Sequence, residues 1–331
     1  MKFSHLLAVG MTFAALSANA GDIIIYEAGS FNPLSGVTNN GNLVLVNGQK
    51  AGSLLKRVFV SDDAKLANKN ITLVRDFYNQ EFGRNSYDGK GASITAVVKV
   101  GRGPVSLLRV LGLDQNAAWD TSGKRFLFGT GEAGTLNNFT GAVDVIAHEY
   151  THAVIETTSK LDANGQSGAL NEHVADVFGQ YIQVKTGNGA NDFLIGETVL
   201  GDDLKQKIAA KYGFTPKGLR DMLNPQLSVP PQPTAMKDIP SALGPNCKPT
   251  ADNDKCGVHL LNGIPNRAIS LAVQKLGWDK VAHVIYKVMT ERLPKNAQFS
   301  TYASETMSEC GRQLSTSDCA AFDASFKAVG L

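Results

Sequence analysis

Between residues 22 and 137 apolar side chains come in short runs broken by turn residues. Residues 23–26, 43–46, 93–100 and 125–128 are rich in β-branched and aromatic types and predict strands. Asn40-Gly41 and Asn47-Gly48 predict tight hairpin turns, because both residue types tolerate a positive φ. Residues 62–82 break the pattern with apolar positions three and four apart, the mark of an amphipathic helix. From residue 143 the helical period takes over, and residues 144–157, 171–184, 262–276 and 279–291 all repeat apolar positions at i, i+3 and i+4. Residues 224–250 hold seven prolines, which lock φ and remove amide donors, so no regular element is expected there. The chain is therefore expected to be α+β. A β-rich N-terminal lobe covers residues 21–143, a mainly helical C-terminal lobe covers 144–331, and a cleft separates them.

The first twenty residues follow another rule. Lys2 precedes an apolar run over residues 6–16, and Ala18-Asn19-Ala20 supplies the small-x-small site of a cleavable export signal. A run of about 11 residues is short of the ~20 that cross a bilayer, and no later segment comes close. Cleavage near Gly21 and release to the periplasm or medium are expected. In an oxidising compartment the four cysteines form disulfides, with three pairings open. Pairing Cys247 with Cys256 and Cys310 with Cys319 closes two short loops, each contributing about 2–3 kcal/mol on chain-entropy grounds. A four-cysteine zinc site is the alternative, but neither pair has CxxC spacing.

Composition narrows the function classes. A chain of 331 residues, 43% hydrophobic and 19% charged, is globular rather than disordered or coiled coil. Thirty-two Lys plus Arg against 30 Asp plus Glu leave a net charge of +2, scattered along the chain, so neither nucleic acid nor an anionic membrane is an expected partner. A monomer is the expectation.

Candidate chemistry is concentrated in His148-Glu149-Tyr150-Thr151-His152, an HExxH motif within an apolar helix. Residues four apart on a helix share a face, so both imidazoles can meet one ion, and Glu149 beside them can act on a water. Catalytic zinc takes three protein ligands and leaves a position open. The metzincin pattern would need Gly at 155 and His at 158, which are Ile155 and Thr158, so that branch is excluded. Further on, Gly168-Ala169-Leu170-Asn171-Glu172-His173-Val174-Ala175-Asp176 places Glu172 and Asp176 four apart. Glu172 can be the third ligand and Asp176 can accept the far N–H of a zinc histidine.

These motifs resemble the thermolysin-like neutral zinc metallopeptidases, with likenesses to the pseudolysin branch. The resemblance runs from about residue 70 to the C-terminus. Arg84-Asn85-Ser86-Tyr87-Asp88-Gly89 and Asn116-Ala117-Ala118-Trp119 resemble the N-terminal lobe of that family. Leu219-Arg220-Asp221-Met222 and residues 254–262, reading DKCGVHLLN, resemble its substrate-binding and transition-state segments. The resemblance implies a secreted metalloendopeptidase with His148, His152 and Glu172 on zinc and Glu149 as general base. It implies that His259 stabilises the transition state, that Asn116, Ala117 and Arg220 contact substrate, and that Asn171, Asp176 and Asp254 orient these groups. It also implies that Phe139, Val145, Ile195 and Leu219 line a pocket for a bulky apolar residue after the scissile bond. Calcium is implied at Asp144, Asp192, Glu197 and the Leu194 carbonyl. Gln183 stands where the family usually has Glu, so one site is expected rather than two.

Two departures stand out. A tyrosine that helps bind the oxyanion in the family is here Ala163, and relatives usually carry a long prosegment for which this chain leaves no room. Both favour a second reading, a catalytically silent secreted binding protein stabilised by zinc, while the intact Glu149 counts against it. An aminopeptidase of the wider HExxH group is a third, but no exopeptidase motif precedes the zinc helix. Without the surrounding motif His259 reads as a structural histidine. His173 and His283 read as structural too, and Glu156 as part of a solvated helix face.

Overall fold

A computed structural model of the chain describes residues 21–28, 42–51, 60–100, 113–239, 243 and 247–331. The export signal and the Asn40-Gly41 turn lie outside them. Six strands form a mixed sheet: β1 (Ile23–Glu27), β2 (Asn42–Val46), β3 (Gln49–Lys50), β4 (Ile94–Val100), β5 (Ala117–Asp120) and β6 (Arg125–Gly129), in the order β3-β2-β1-β4-β6-β5. β4 runs parallel to both β1 and β6, and the other pairs are antiparallel. At the β2–β3 turn Asn47 and Gly48 have φ of 49° and 76°, the two positive values that a tight hairpin requires.

Helix α1 (Asp62–Phe82) covers one face of the sheet with Ala64, Ala67, Ile71, Val74 and Tyr78, spaced at helical period and all buried. The Ser61 side chain caps its start by accepting the Ala64 N–H, and Gly83 ends it with φ of 66°. The edge strand β5 positions the site. Asn116 O accepts the Gly129 N–H toward β6, while the Trp119 N–H turns the other way. Because strand amides alternate in direction, the Ala117 N–H and C=O face the same side as those of Trp119, away from the sheet.

Helices α2 (Val143–Thr157) and α3 (Gly165–Lys185) run through the centre of the molecule. Every α2 residue from Val143 to Ile155 except His152 is buried. The two helices approach closely at Gly179, where a Cβ would stand 2.9 Å from the Asp144 carbonyl oxygen. A two-stranded ribbon of β7 (Leu194–Ile195) and β8 (Arg220–Asp221) flanks them, with the solvated helix α4 (Asp202–Tyr212) between the two strands in sequence. The C-terminal half continues as α5 (Asp254–Leu261), α6 (Gly263–Leu276), α7 (Trp278–Lys287), a π-helical turn over Val288–Arg292, α8 (Phe299–Gln313) and α9 (Thr316–Ala328). One hydrophobic cluster extends from Ile23 in the sheet to Val329 after α9.

Cysteines pair locally, Cys247 with Cys256 and Cys310 with Cys319, the second bridge tying α8 to α9. The first bridge anchors an unusual start to α5. Asp254, Lys255, Cys256 and Gly257 have φ of 52°, 51°, 67° and 74°, a complete left-handed turn in which three residues are not glycine. Asn253 supports it by accepting the Cys256 N–H.

Candidate active site

The cleft between sheet and helices has a volume of about 1150 Å³, and His148, Glu149, His152 and Glu172 line it. Both histidines come from α2, whose buried sides hold the helix rigidly, and Glu172 comes from the side of α3 that faces the cleft. Their donor atoms lie within 4.8 Å of one another. His148 Nε2 is 3.0 Å from His152 Nε2 and 3.3 Å from Glu172 Oε2, and His152 Nε2 is 3.6 Å from Glu172 Oε1.

The far side of each ligand is held. His148 Nδ1 donates to Asp176 Oδ1 at 2.9 Å, and His152 Nδ1 pairs with Asn171 Oδ1 at 2.7 Å, so each Nε2 faces the cluster. Asp176, fully buried, also takes Arg220 Nε and Nη2 at 3.0 and 2.7 Å, and the side-chain amides of Asn262 and Asn266 at 2.9 and 2.8 Å. Burial opposes its charge, but Arg220 and the His148 hydrogen bond prevail and hold the carboxyl at about 2. Glu172 behaves alike: burial is outweighed by His259, His152 and His148, and its carboxyl sits well below the usual range. His148 is buried too, yet the Asp176 and Glu172 carboxylates on either side of its ring lift it to about 10. The field here favours positive charge. Two imidazole nitrogens, a carboxylate and the buried Glu172 Oε2 without a hydrogen-bond partner make a donor set that fits zinc.

Glu149 is not part of that set. Its Oε2 accepts the Trp119 N–H of β5 at 2.8 Å. His259 faces Glu172, with Nε2 3.4 Å from Oε2, and its own Nδ1–H and N–H are held by Asp254 at 2.6 and 2.8 Å. Glu172 raises the His259 pKa against the opposing effect of burial, with help from Asp254. Asn116, Ala117, Arg220, Phe139, Val145, Ile195 and Leu219 all line the cleft, and so does Ala163, whose methyl is exposed.

The expected calcium residues come together only in part. The Asp144 and Glu197 carboxylates face each other in the interior, each with one buried oxygen lacking a hydrogen-bond partner, and the Gln183 amide donates to Glu197. Burial and Glu197 push Asp144 up to about 7. Asp192 does not join them, since it is exposed and accepts the Leu194 N–H in a local turn. Leu194 is buried in β7.

Three features have no counterpart in the sequence reading. Glu156, expected on a solvated face, lines the cleft and accepts from the Trp119 indole and Lys124, drawn in by a partner distant in sequence. Asn262 and Asn266 gather on Asp176, and an isolated amide in an apolar helix gives no spacing signal. The Trp119 amide that holds Glu149 belongs to a backbone direction that only the sheet register defines.

Comparison with known proteins agrees with this geometry. The model of the thermolysin metallopeptidase catalytic domain matches residues 40–156, and that of its alpha-helical domain matches residues 159–331. An extracellular metalloprotease of Pectobacterium carotovorum subsp. carotovorum is 34% identical over 77% of this chain and 69% of its own length. Bacillolysin of Bacillus amyloliquefaciens is 30% identical over 80% of this chain, which spans 44% of that longer protein. The structure of the precursor of protealysin, a metalloproteinase from Serratia proteamaculans, superposes with a TM-score of 0.72 at 30% identity, covering 95% of this chain and 88% of that one. This chain therefore belongs to the thermolysin family of zinc metallopeptidases.

Proposed function

We propose that the protein is a secreted endopeptidase that hydrolyses peptide bonds with Glu149 as general base and prefers a bulky apolar residue after the scissile bond. The observation that carries this reading is Glu149 itself. It is a carboxylate beside a His-His-Glu cluster but outside it, tethered to the strand edge where an extended peptide would lie.

Zinc held by His148, His152 and Glu172 would polarise the scissile carbonyl and lower the pKa of the attacking water. Ala117 and Asn116 hold the substrate backbone along β5. Glu149 takes a proton from the water and delivers it to the leaving amine, its second oxygen free because Trp119 holds the first. His259 turns Nε2–H into the cleft, and Arg220 keeps N–H groups beyond the two committed to Asp176, so both can donate to the developing oxyanion. Phe139, Val145, Ile195 and Leu219 offer an apolar pocket in which a Leu or Phe side chain gains roughly 1.5–3 kcal/mol.

Export through residues 1–20, mature lobes over 21–143 and 144–331, action as a monomer and one calcium ion at Asp144 and Glu197 belong to the same reading. The extracellular relatives and the two orphaned carboxylate oxygens support it. Ala163 favours the alternative, a silent zinc-stabilised binding protein. Casein digestion by the purified protein separates them. The expected outcome is cleavage before Leu, Phe and similar residues in mass-spectrometric maps, with Glu149→Ala retaining zinc and losing turnover. Intact casein with wild-type protein would select the alternative, and cleavage before Lys, Arg or Asp would contradict the pocket.

A further inference from the structure

Directly after the ligand Glu172, His173 turns into the core and is fully buried between α3, α6 and α8. Its Nδ1 lies 2.7 Å from Asn266 Oδ1 and its Nε2 2.8 Å from the Tyr302 hydroxyl. The carboxylate two steps away fixes the direction of every bond. Asp176 only accepts, so Asn266 must present its NH2 group to Oδ2 and its carbonyl to His173. His173 then carries its proton on Nδ1, and its bare Nε2 accepts from Tyr302. The result is a relay of donors, Tyr302 to His173 to Asn266 to Asp176, ending on the carboxylate that also receives His148 Nδ1–H. All five side chains are buried, four of them fully. An apolar residue at 173 would fill the same space without the desolvation cost of an imidazole.

We infer that His173 is a positioning residue for the metal centre, which holds the Asn266 amide in one orientation and so fixes Asp176 and the ligand His148. Without a donor at 173, the buried Asn266 Oδ1 loses its partner, and the amide shifts toward another one and slackens its bond to Asp176. The carboxylate that sets the His148 tautomer is then held less firmly. This rests on the zinc reading above and adds a third layer to it, reaching α8.

Zinc release into a chromophoric chelator tests it, with wild type and His148→Ala as references. His173→Ala should release zinc about 10–100-fold faster, as loss of groups behind a ligand does. Tyr302→Phe, which keeps the ring but removes the donor, should act in the same direction to a smaller extent. His173→Gln should recover part of the loss, because its amide can donate to Asn266. Release within about threefold of wild type from folded His173→Ala would overturn the inference and leave His173 a packing residue. If that variant does not fold, Tyr302→Phe decides by the same criterion. No zinc on the wild-type protein overturns the metal reading and this inference with it. Zinc held by wild type and lost by His148→Ala, with unchanged release from the relay variants, overturns this inference alone.

Discussion

At position 163 the cleft wall presents a methyl group to solvent, so the oxyanion would be met by His259 and Arg220 without a phenol. Losing one such donor costs 10²–10³ in rate, so Ala163→Tyr is expected to raise kcat by about tenfold or more. KM should change little, since the bond forms in the transition state. Steady-state kinetics on a short peptide checks it, and an unchanged kcat in a folded, zinc-loaded variant would mean that another group already donates there. At this scale the placement of residues was legible wherever it depends on spacing within one element, as for His148, Glu149 and His152 on α2 and Glu172 and Asp176 on α3. It was not legible where partners come from elsewhere. Glu156 reads as solvated until Trp119 and Lys124 are brought over it, and His173 reads as filler until Asn266 and Tyr302 close on it.

Among the elements, the left-handed turn at the start of α5 matters most. Each non-glycine residue held there costs roughly 1–2 kcal/mol, and Asp254, Lys255 and Cys256 are three of them. The Cys247–Cys256 bridge, of about 2–3 kcal/mol for so short a loop, and the Asn253 cap offset that strain. The turn aims both Asp254 oxygens at His259. Replacing both cysteines with serine should therefore let the turn relax and bring kcat/KM down toward that of His259→Ala, with zinc still bound. Elemental analysis alongside kinetics distinguishes this from collapse of the site. Sequence periodicity predicted α1, α2, α3, α6 and most of α7, whose buried faces are apolar. α8 and α9 escaped because Thr306, Glu309 and Ser325 occupy buried positions, and α4 because only Ile208 is buried. β5 is short and alanine-rich, and only its pairing with β6 makes it a strand.

Across the whole molecule one core joins the sheet to the last helix, so the lobes are expected to unfold together. Beside that core the buried Asp144 carboxyl faces Glu197, a like charge that together with burial pushes it up to about 7. A calcium ion bound between them, as proposed, would stabilise by mass action, about 2.7 kcal/mol at a hundredfold excess over Kd. Millimolar calcium should raise Tm by a few degrees in calorimetry. Asp144→Asn should raise the calcium-free Tm by removing a buried charge and should abolish the calcium increment, whereas an equal increment in the variant would place the ion elsewhere.

The open edge of β5 has a consequence for what the protein can digest. A segment docking there must be extended over several residues and must spare its own amides for Ala117, conditions that a residue inside a helix or a paired strand does not meet. Folded targets would then be cut only during local opening, and the cutting rate would follow the target's own opening equilibrium rather than the number of apolar residues it contains. Against a graded series of destabilised variants of one target protein, the logarithm of the initial rate is expected to fall linearly with target stability, with a slope near 1/RT. A flat response would mean that the cleft accepts structured segments. The protein would act on a mixture as a reader of instability, clearing loosened chains first and sparing compact ones with the same sequence preferences.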